Sequence, residues 1–205
     1  MGVARLTMIS HKHKFIFIHI PKTGGTSVEI ALEDETCICK RNEWSKEPRG
    51  FGAPLNHLTL QQVIDSKYLT EEQLQTYFKF TFIRHPLDRA ISEIFCPHIK
   101  GVFKKYDNVK DKLIHLSTID NHAGHIKPQI KFIKTNCDIS MDFIGKFENF
   151  QEDFNVVCDK IGIPQRDLPH KNKNKTKTKH YTEYYDEVVK DLIRYKYKQD
   201  LKMYE

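Results

Sequence analysis

Two passages in which a strand-like run passes through a sharp turn into a helical pattern constrain this chain more than any other feature. The first is Lys14-Phe-Ile-Phe-Ile-His-Ile20, which breaks at Pro21-Lys-Thr-Gly-Gly25 and resumes as Thr26-Ser-Val-Glu-Ile-Ala-Leu32. Its apolar, β-branched and aromatic run is far too short to cross a bilayer and suits a strand buried on both faces. The second is Tyr77-Phe-Lys-Phe-Thr-Phe-Ile-Arg84, stopped by His85-Pro86 and followed by Leu87, Ala90, Ile91, Ile94 and Phe95 at helical spacing. Proline disfavours further extension of the strand and pre-sets a turn. A third run, Met141 to Phe147, precedes a helix face of Phe150, Phe154, Val157, Cys158 and Ile161, closed by Gly162 and Pro164.

Strands interleaved with helices predict an α/β fold, three-layer and P-loop-like, with a mainly parallel central sheet flanked by helices. In such folds ligands bind beyond the carboxyl ends of the strands, so the turns after Ile20 and after Arg84 should open on one edge. The 205 residues, 39% of them hydrophobic, are enough for a single domain spanning 1–205 with one continuous core. Thr59-x-x-Gln62 and Thr70-x-x-Gln73 are capping-box patterns that open two short helices. Residues 33–56 are polar, carry Pro48, Gly50, Gly52 and Pro54, and read as an irregular excursion. At the C-terminus, Thr182 is a candidate cap, with Tyr185, Val188, Leu192 and Tyr195 on one face of a long amphipathic helix.

Charge is concentrated rather than spread. The lysines at 171, 173, 175, 177 and 179 account for most of the formal +6 and sit in the lysine-rich loop 168–182, which has no acidic residue. That loop reads as a solvated segment, as a lid over an anionic ligand, or as a nucleic-acid contact; the near-neutral remainder favours a small polyanion or charged sugar over nucleic acid. The basic N-terminus lacks a long apolar segment, so neither a secretory signal nor a transmembrane segment is expected, and the location expected is cytoplasmic. Five cysteines at irregular spacing read as free thiols. Cys37 and Cys39 without a second pair are a weak zinc signal, and no metal is expected.

Pro21-Lys-Thr-Gly-Gly-Thr-Ser27 has the makings of an anion cradle: glycines that let backbone amides approach oxygens, hydroxyl donors and a lysine. It departs from the nucleotide-binding G-x-x-x-x-G-K-S/T loop, because Lys22 precedes the glycines instead of following them. Taken with Phe82-Ile-Arg-His-Pro-Leu-Asp-Arg-Ala-Ile-Ser92, it resembles the paired motifs of sulfotransferases that use 3'-phosphoadenosine 5'-phosphosulfate (PAPS), in particular the heparan- and chondroitin-type carbohydrate O-sulfotransferases. The resemblance implies that Lys22, Thr23, Gly24, Gly25, Thr26 and Ser27 hold the 5'-phosphosulfate and that Arg84 and Ser92 hold the 3'-phosphate. Lys22 would contact the bridging oxygen, and PAP would be the product. It continues weakly through His57-Leu-Thr-Leu and Asp142-Phe-Ile-Gly-Lys-Phe-Glu148. Asp88 and Arg89 read as a capping charge and a surface charge.

Sulfuryl transfer to a hydroxyl needs a base, and near neutral pH histidine is the natural one. His57 is the candidate, since the relatives carry their catalytic histidine between the two motifs; His122 and His125 are reserves, and His19 and His85 are expected to shape the cofactor loops. The partner implied is a carbohydrate or glycan acceptor, with residues 33–56 and 103–122 shaping its side of the cleft. The animal members implied by the resemblance are usually Golgi enzymes with a membrane anchor, whereas this sequence suits a bacterial or viral enzyme. Competing readings are a P-loop nucleotide kinase and a non-catalytic anion- or glycan-binding module. The kinase would need a lysine beside the hydroxyl residue and an acidic magnesium ligand at a strand end.

Overall fold

The computed structural model describes residues 9–33, 57–120, 124–169 and 177–205. The expected excursion from residue 34 onward, Cys37, Cys39, His122 and the lysines at 171, 173 and 175 lie outside them. Four strands form one sheet: β1 (Ile9–Ser10), β2 (Phe15–Ile18), β3 (Phe78–Ile83) and β4 (Phe143–Lys146), in that spatial order. β1 is antiparallel to β2, whereas β2 pairs parallel with β3 and β3 parallel with β4. The mainly parallel sheet is therefore present, and all three parallel strands end on one edge.

The β2–β3 connection contains α1 (Gly25–Ala31), α2 (Leu60–Asp65) and α3 (Glu71–Thr76). The β3–β4 connection contains α4 (Pro86–Ile94), α5 (Lys100–Phe103), α6 (Val109–Thr118) and α7 (Ile130–Ile133). After β4 come α8 (Phe150–Ile161), α9 (Glu187–Lys196) and α10 (Lys198–Tyr204). Successive strand residues point to opposite faces, and both faces are covered. Phe15, Phe17, Phe80 and Phe82 pack with Val28 and Leu32 and with Phe154, Val157 and Cys158 of α8. On the other face Ile16 and Ile18 meet Leu60, Val63, Leu74 and Phe132. The sheet thus forms the middle of three layers. A lateral cluster joins Leu87, Ala90, Ile91 and Ile94 of α4 to Leu113 and Leu116 of α6 and to Val189, Ile193 and Tyr197.

Alternation in β3 does not mean a wet face. Lys79 is 4% exposed, and its Nζ lies 2.7 Å from the Tyr77 carbonyl and 2.9 Å from Asp142. Thr81 Oγ1 donates to Ile18 O at 2.7 Å. Buried polar groups persist because each is partnered.

Local end signals behave as the spacing predicts. Both capping boxes form: Thr59 and Thr70 accept from the amides of Gln62 and Gln73, whose side chains accept from the threonine amides in return. Gly162 ends α8 at φ 73°, a conformation that costs glycine little.

The C-terminal expectation needs correction. Residues Tyr181–Tyr184 form a 3-10 turn, Asp186 rather than Thr182 caps α9, and the helical region breaks at Tyr197. Val189, Ile193 and Tyr197 face the core, while Val188 and Tyr195 are 67% and 77% exposed. Two apolar stripes lie side by side on α9, and only contact with α4 and α6 selects between them. Accordingly, Ile193→Ala should lower stability by about 2–5 kcal/mol through loss of burial and the cavity left behind. Val188→Ala should change it by no more than about 0.5 kcal/mol. Urea unfolding of the two variants checks this assignment.

Candidate active site

From the end of β2 the chain turns through residues 19–24 into α1. Lys22 and Gly24 hold left-handed φ angles of 68° and 86°, a region in which lysine is strained and glycine is not. Packing also excludes side chains at both glycines. A Cβ at Gly24 would lie 2.5 Å from the Phe150 ring, and one at Gly25 would lie 2.1 Å from the His19 ring. His19 is fixed in that position by a 2.6 Å contact between its Nδ1 and Glu29. Thr23 is fully buried and its hydroxyl donates to Ile20 O at 2.8 Å, closing the turn. Thr26 is half-buried and Ser27 buried in the first turn of α1, where Gly24 as N-cap offers no side chain to the first amides.

Arg84 follows β3 and reaches back across the sheet edge. Its Nη1 donates to Lys22 O at 3.2 Å, its Nε donates to Asp88 at 2.8 Å, and its guanidinium lies 4.2 Å from the Phe147 ring centroid. Ser92, half-buried, is two turns along α4 on the face that carries Asp88. His85 caps α4, and its ring lies between Tyr181 and Tyr204, while its amide donates to Glu148 at 2.8 Å. Both His19 and His85 thus shape the turns.

Asp88 lies in the first turn of α4 as a capping charge would, but it also binds two cations, and Arg89 is not the surface charge expected from sequence. Asp88 binds Arg84 and also pairs with Lys177. Burial would raise its pKa, but these two cations outweigh that and hold it below the usual carboxylate value. The described end of the lysine-rich segment is therefore anchored on the site. Arg89 is 1% exposed; it donates to Pro21 O at 3.0 Å and to His125 O at 2.7 Å, joining the cradle to a distant segment.

His57 lies beside the cradle. Its Nδ1 is 3.0 Å from His19 O, so Nδ1 carries the proton in the neutral ring. Its ring centroid is 4.5 Å from that of His19 and 5.5 Å from that of His125. Burial, then the neighbouring His19, push its pKa well below the ordinary value, with smaller contributions from His125 and Lys22. His125 is different: burial would lower it, but hydrogen bonds to Cys96 and Glu93 raise it to about 9. Burial would raise the Cys96 thiol, yet His125 and the charge of Lys22 bring it below its usual value. Lys22, His57, Cys96 and His125 therefore share one electrostatic neighbourhood.

Gln129 and Asp200 are contributors that sequence reasoning missed. Gln129 is fully buried; its side chain accepts from Arg84 N and donates to Arg84 O, both at 2.9 Å. Asp200 of α10, also fully buried, accepts from the amides of Gln129 at 2.7 Å and Ile130 at 2.9 Å. Gln129 thus holds the arginine's backbone as a neighbouring strand would. The partners are 45 and 71 residues apart, and no local pattern marks them.

The glycine turn with Lys22 and the strand-end Arg84 thus meet at the carboxyl end of the parallel sheet beside the buried His57, and groups of this kind are chemically able to hold an anion. Residues 5–205 match the model of the sulfotransferase family, and the chain belongs to that family. It is 25% identical to human carbohydrate sulfotransferase 9 over 91% of this chain and 48% of that protein. Mouse carbohydrate sulfotransferase 11 is 23% identical over 76% of this chain and 53% of its own length. Zebrafish carbohydrate sulfotransferase 14 is 18% identical over 77% and 48%. The chain spans about half the length of these relatives. No solved structure matches the chain significantly. Among the described residues, no helix is long and apolar enough to cross a membrane.

The depressed His57 pKa carries a sign. Below the ordinary histidine value of about 6.5 the unfolded chain takes up a proton that native His57 resists, so this residue makes stability fall as pH falls. The stability difference between wild type and His57→Asn should therefore shift against wild type from about pH 7 to about pH 5, by up to about 1.4 kcal/mol per unit. Parallel urea-unfolding profiles across that range would contradict it.

Proposed function

We propose that this chain transfers a sulfuryl group from PAPS to a hydroxyl of a carbohydrate acceptor. Family membership and the names of its relatives support the reaction class. The observation that carries the reading is the contact of Arg84 with the Lys22 carbonyl: two anion-binding motifs 62 residues apart meet at one sheet edge.

The residues present suit such a donor. Packing against the Phe150 and His19 rings requires glycine at 24 and 25, and the tight turn this allows gathers Lys22, Gly24, Gly25, Thr26 and Ser27 where the phosphosulfate would sit. The Thr23 hydroxyl is committed to the turn, which makes its contribution structural. A guanidinium has five N–H donors in a fixed fork, and among the described residues Arg84 directs its contacts to Asp88 and Lys22 O, leaving donors for the 3'-phosphate with Ser92 alongside. When bound, the donor supplies a sulfuryl group joined through a bridging oxygen to the nucleotide 5'-phosphate.

In this mechanism His57 Nε2 takes the proton of the acceptor hydroxyl while that oxygen forms a bond to sulfur. The bond from sulfur to the bridging oxygen breaks in line, and Lys22 stabilises the charge that collects there. Burial keeps His57 neutral and able to accept, and the negative charge of a bound donor would restore part of its basicity. Lys22 suits a moving charge because its ammonium is flexible, whereas Arg84 suits a fixed phosphate because its fork is planar.

Transfer from radiolabelled PAPS to a panel of desulfated glycans tests the reading. Lys22→Ala and His57→Ala should each lower kcat at least about 100-fold. Arg84→Lys should raise the donor KM about tenfold or more, with a smaller effect on kcat. Donor binding with no transfer to any glycan would favour the binding-module reading.

A further inference from the structure

α4 ends at Ile94, and the turn that follows brings Glu93 and Cys96 together, closed by a 2.8 Å hydrogen bond from the Cys96 amide to the Glu93 carbonyl. His125 arrives from a segment 32 residues beyond Glu93 and places its Nδ1 3.1 Å from Glu93 Oε2. One oxygen, one sulfur and one imidazole nitrogen thus converge, every pair within 4.8 Å. The three residues are 0%, 1% and 7% exposed. This convergence of three different donor types is tertiary, since only the Glu93–Cys96 spacing is local.

A second observation concerns the carboxylate. Among the described residues, Glu93 Oε1 is buried without a hydrogen-bond partner. The Arg89 guanidinium is 3.6 Å away, close enough to balance charge but too far for a hydrogen bond. A buried carboxylate oxygen left this way asks for an explanation, and a bound ion is one of the few available. An ion pair with His125 accounts for Oε2 but not for Oε1.

We propose that Glu93, Cys96 and His125 form a binding site for a divalent transition-metal cation of the zinc type. The donor set selects the cation's class. Thiolate and imidazole favour borderline-soft ions, whereas magnesium and calcium seek oxygen donors. A thiolate and a carboxylate offset the charge of the ion, with Arg89 as a further cation beside Glu93, and these three donors leave one position of a tetrahedral site open. The site differs from the Cys37–Cys39 pair that the sequence made the weak zinc candidate, and it stands independently of the sulfuryl-transfer reading. Its place gives it a role. Arg89 ties the His125 carbonyl to Pro21 of the cradle, so a cation here would brace the end of α4 and the His125 segment against the loop beside His57.

The test uses the full chain, stripped with a chelator and titrated with Co²⁺ and then Zn²⁺. One equivalent of Co²⁺ should produce the near-ultraviolet charge-transfer absorption of a thiolate–cobalt bond, and Zn²⁺ should abolish it by displacement. Cys96→Ser should remove that band. Glu93→Gln, nearly the same shape, should weaken binding at least about tenfold, with circular dichroism showing that the fold is kept. The double variant Cys37→Ser/Cys39→Ser should keep both band and stoichiometry. Absence of saturable binding by the wild-type chain overturns the proposal. So does a band that survives Cys96→Ser, or one that disappears with Cys37 and Cys39.

Discussion

The architecture of the site turns on one buried cation. Arg89 is 1% exposed and bonds two carbonyls, Pro21 in the cradle and His125 in a segment far along the chain. A guanidinium taken out of water must be fully engaged, and breaking such an arrangement leaves an uncompensated charge. That requirement locks three parts together: the turn after β2, α4, and the region carrying His125. It holds the turn that carries Lys22 and the segment that carries His125 against each other.

Around it the electrostatics are arranged in advance. Asp88 holds Arg84 on one side and Lys177 on the other, while Gln129 holds the arginine's backbone and Asp200 holds Gln129. Each link restricts the next, so the guanidinium is oriented at the sheet edge before any ligand arrives. Such pre-organisation reduces what binding must spend on ordering side chains. It also runs a chain of contacts from the C-terminal helix to the sheet edge that carries Arg84, which ties α10 to the candidate site.

Much of the fold could be read directly. The Thr59 and Thr70 capping boxes, the Gly162 stop and the helix after Pro86 are decided within a few residues, where amide satisfaction and backbone strain act locally. The paired motifs were legible for a similar reason, since glycine turns and strand-end arginines are local devices. Reading failed where two answers were locally equivalent. On α9 the Val188–Leu192–Tyr195 stripe is as apolar as Val189–Ile193–Tyr197, and only the second meets α4 and α6. Nothing local decides whether Lys79 is buried, and it is the distant Asp142 that makes its burial tolerable.

By itself, then, the sequence determined the parallel strand-turn-helix units, the glycine cradle and the family resemblance, because strand burial, proline stops and glycine turns act over neighbouring residues. The tertiary structure alone decided which charges are interior. Arg89 and Glu93 look like ordinary helix-surface residues until α4 is packed against the cradle and the His125 segment, and Gln129 has no meaning until it is beside Arg84. Burial and partnering are properties of contacts between distant segments, and desolvation turns those contacts into shifted pKa values, fixed side chains and a candidate metal site.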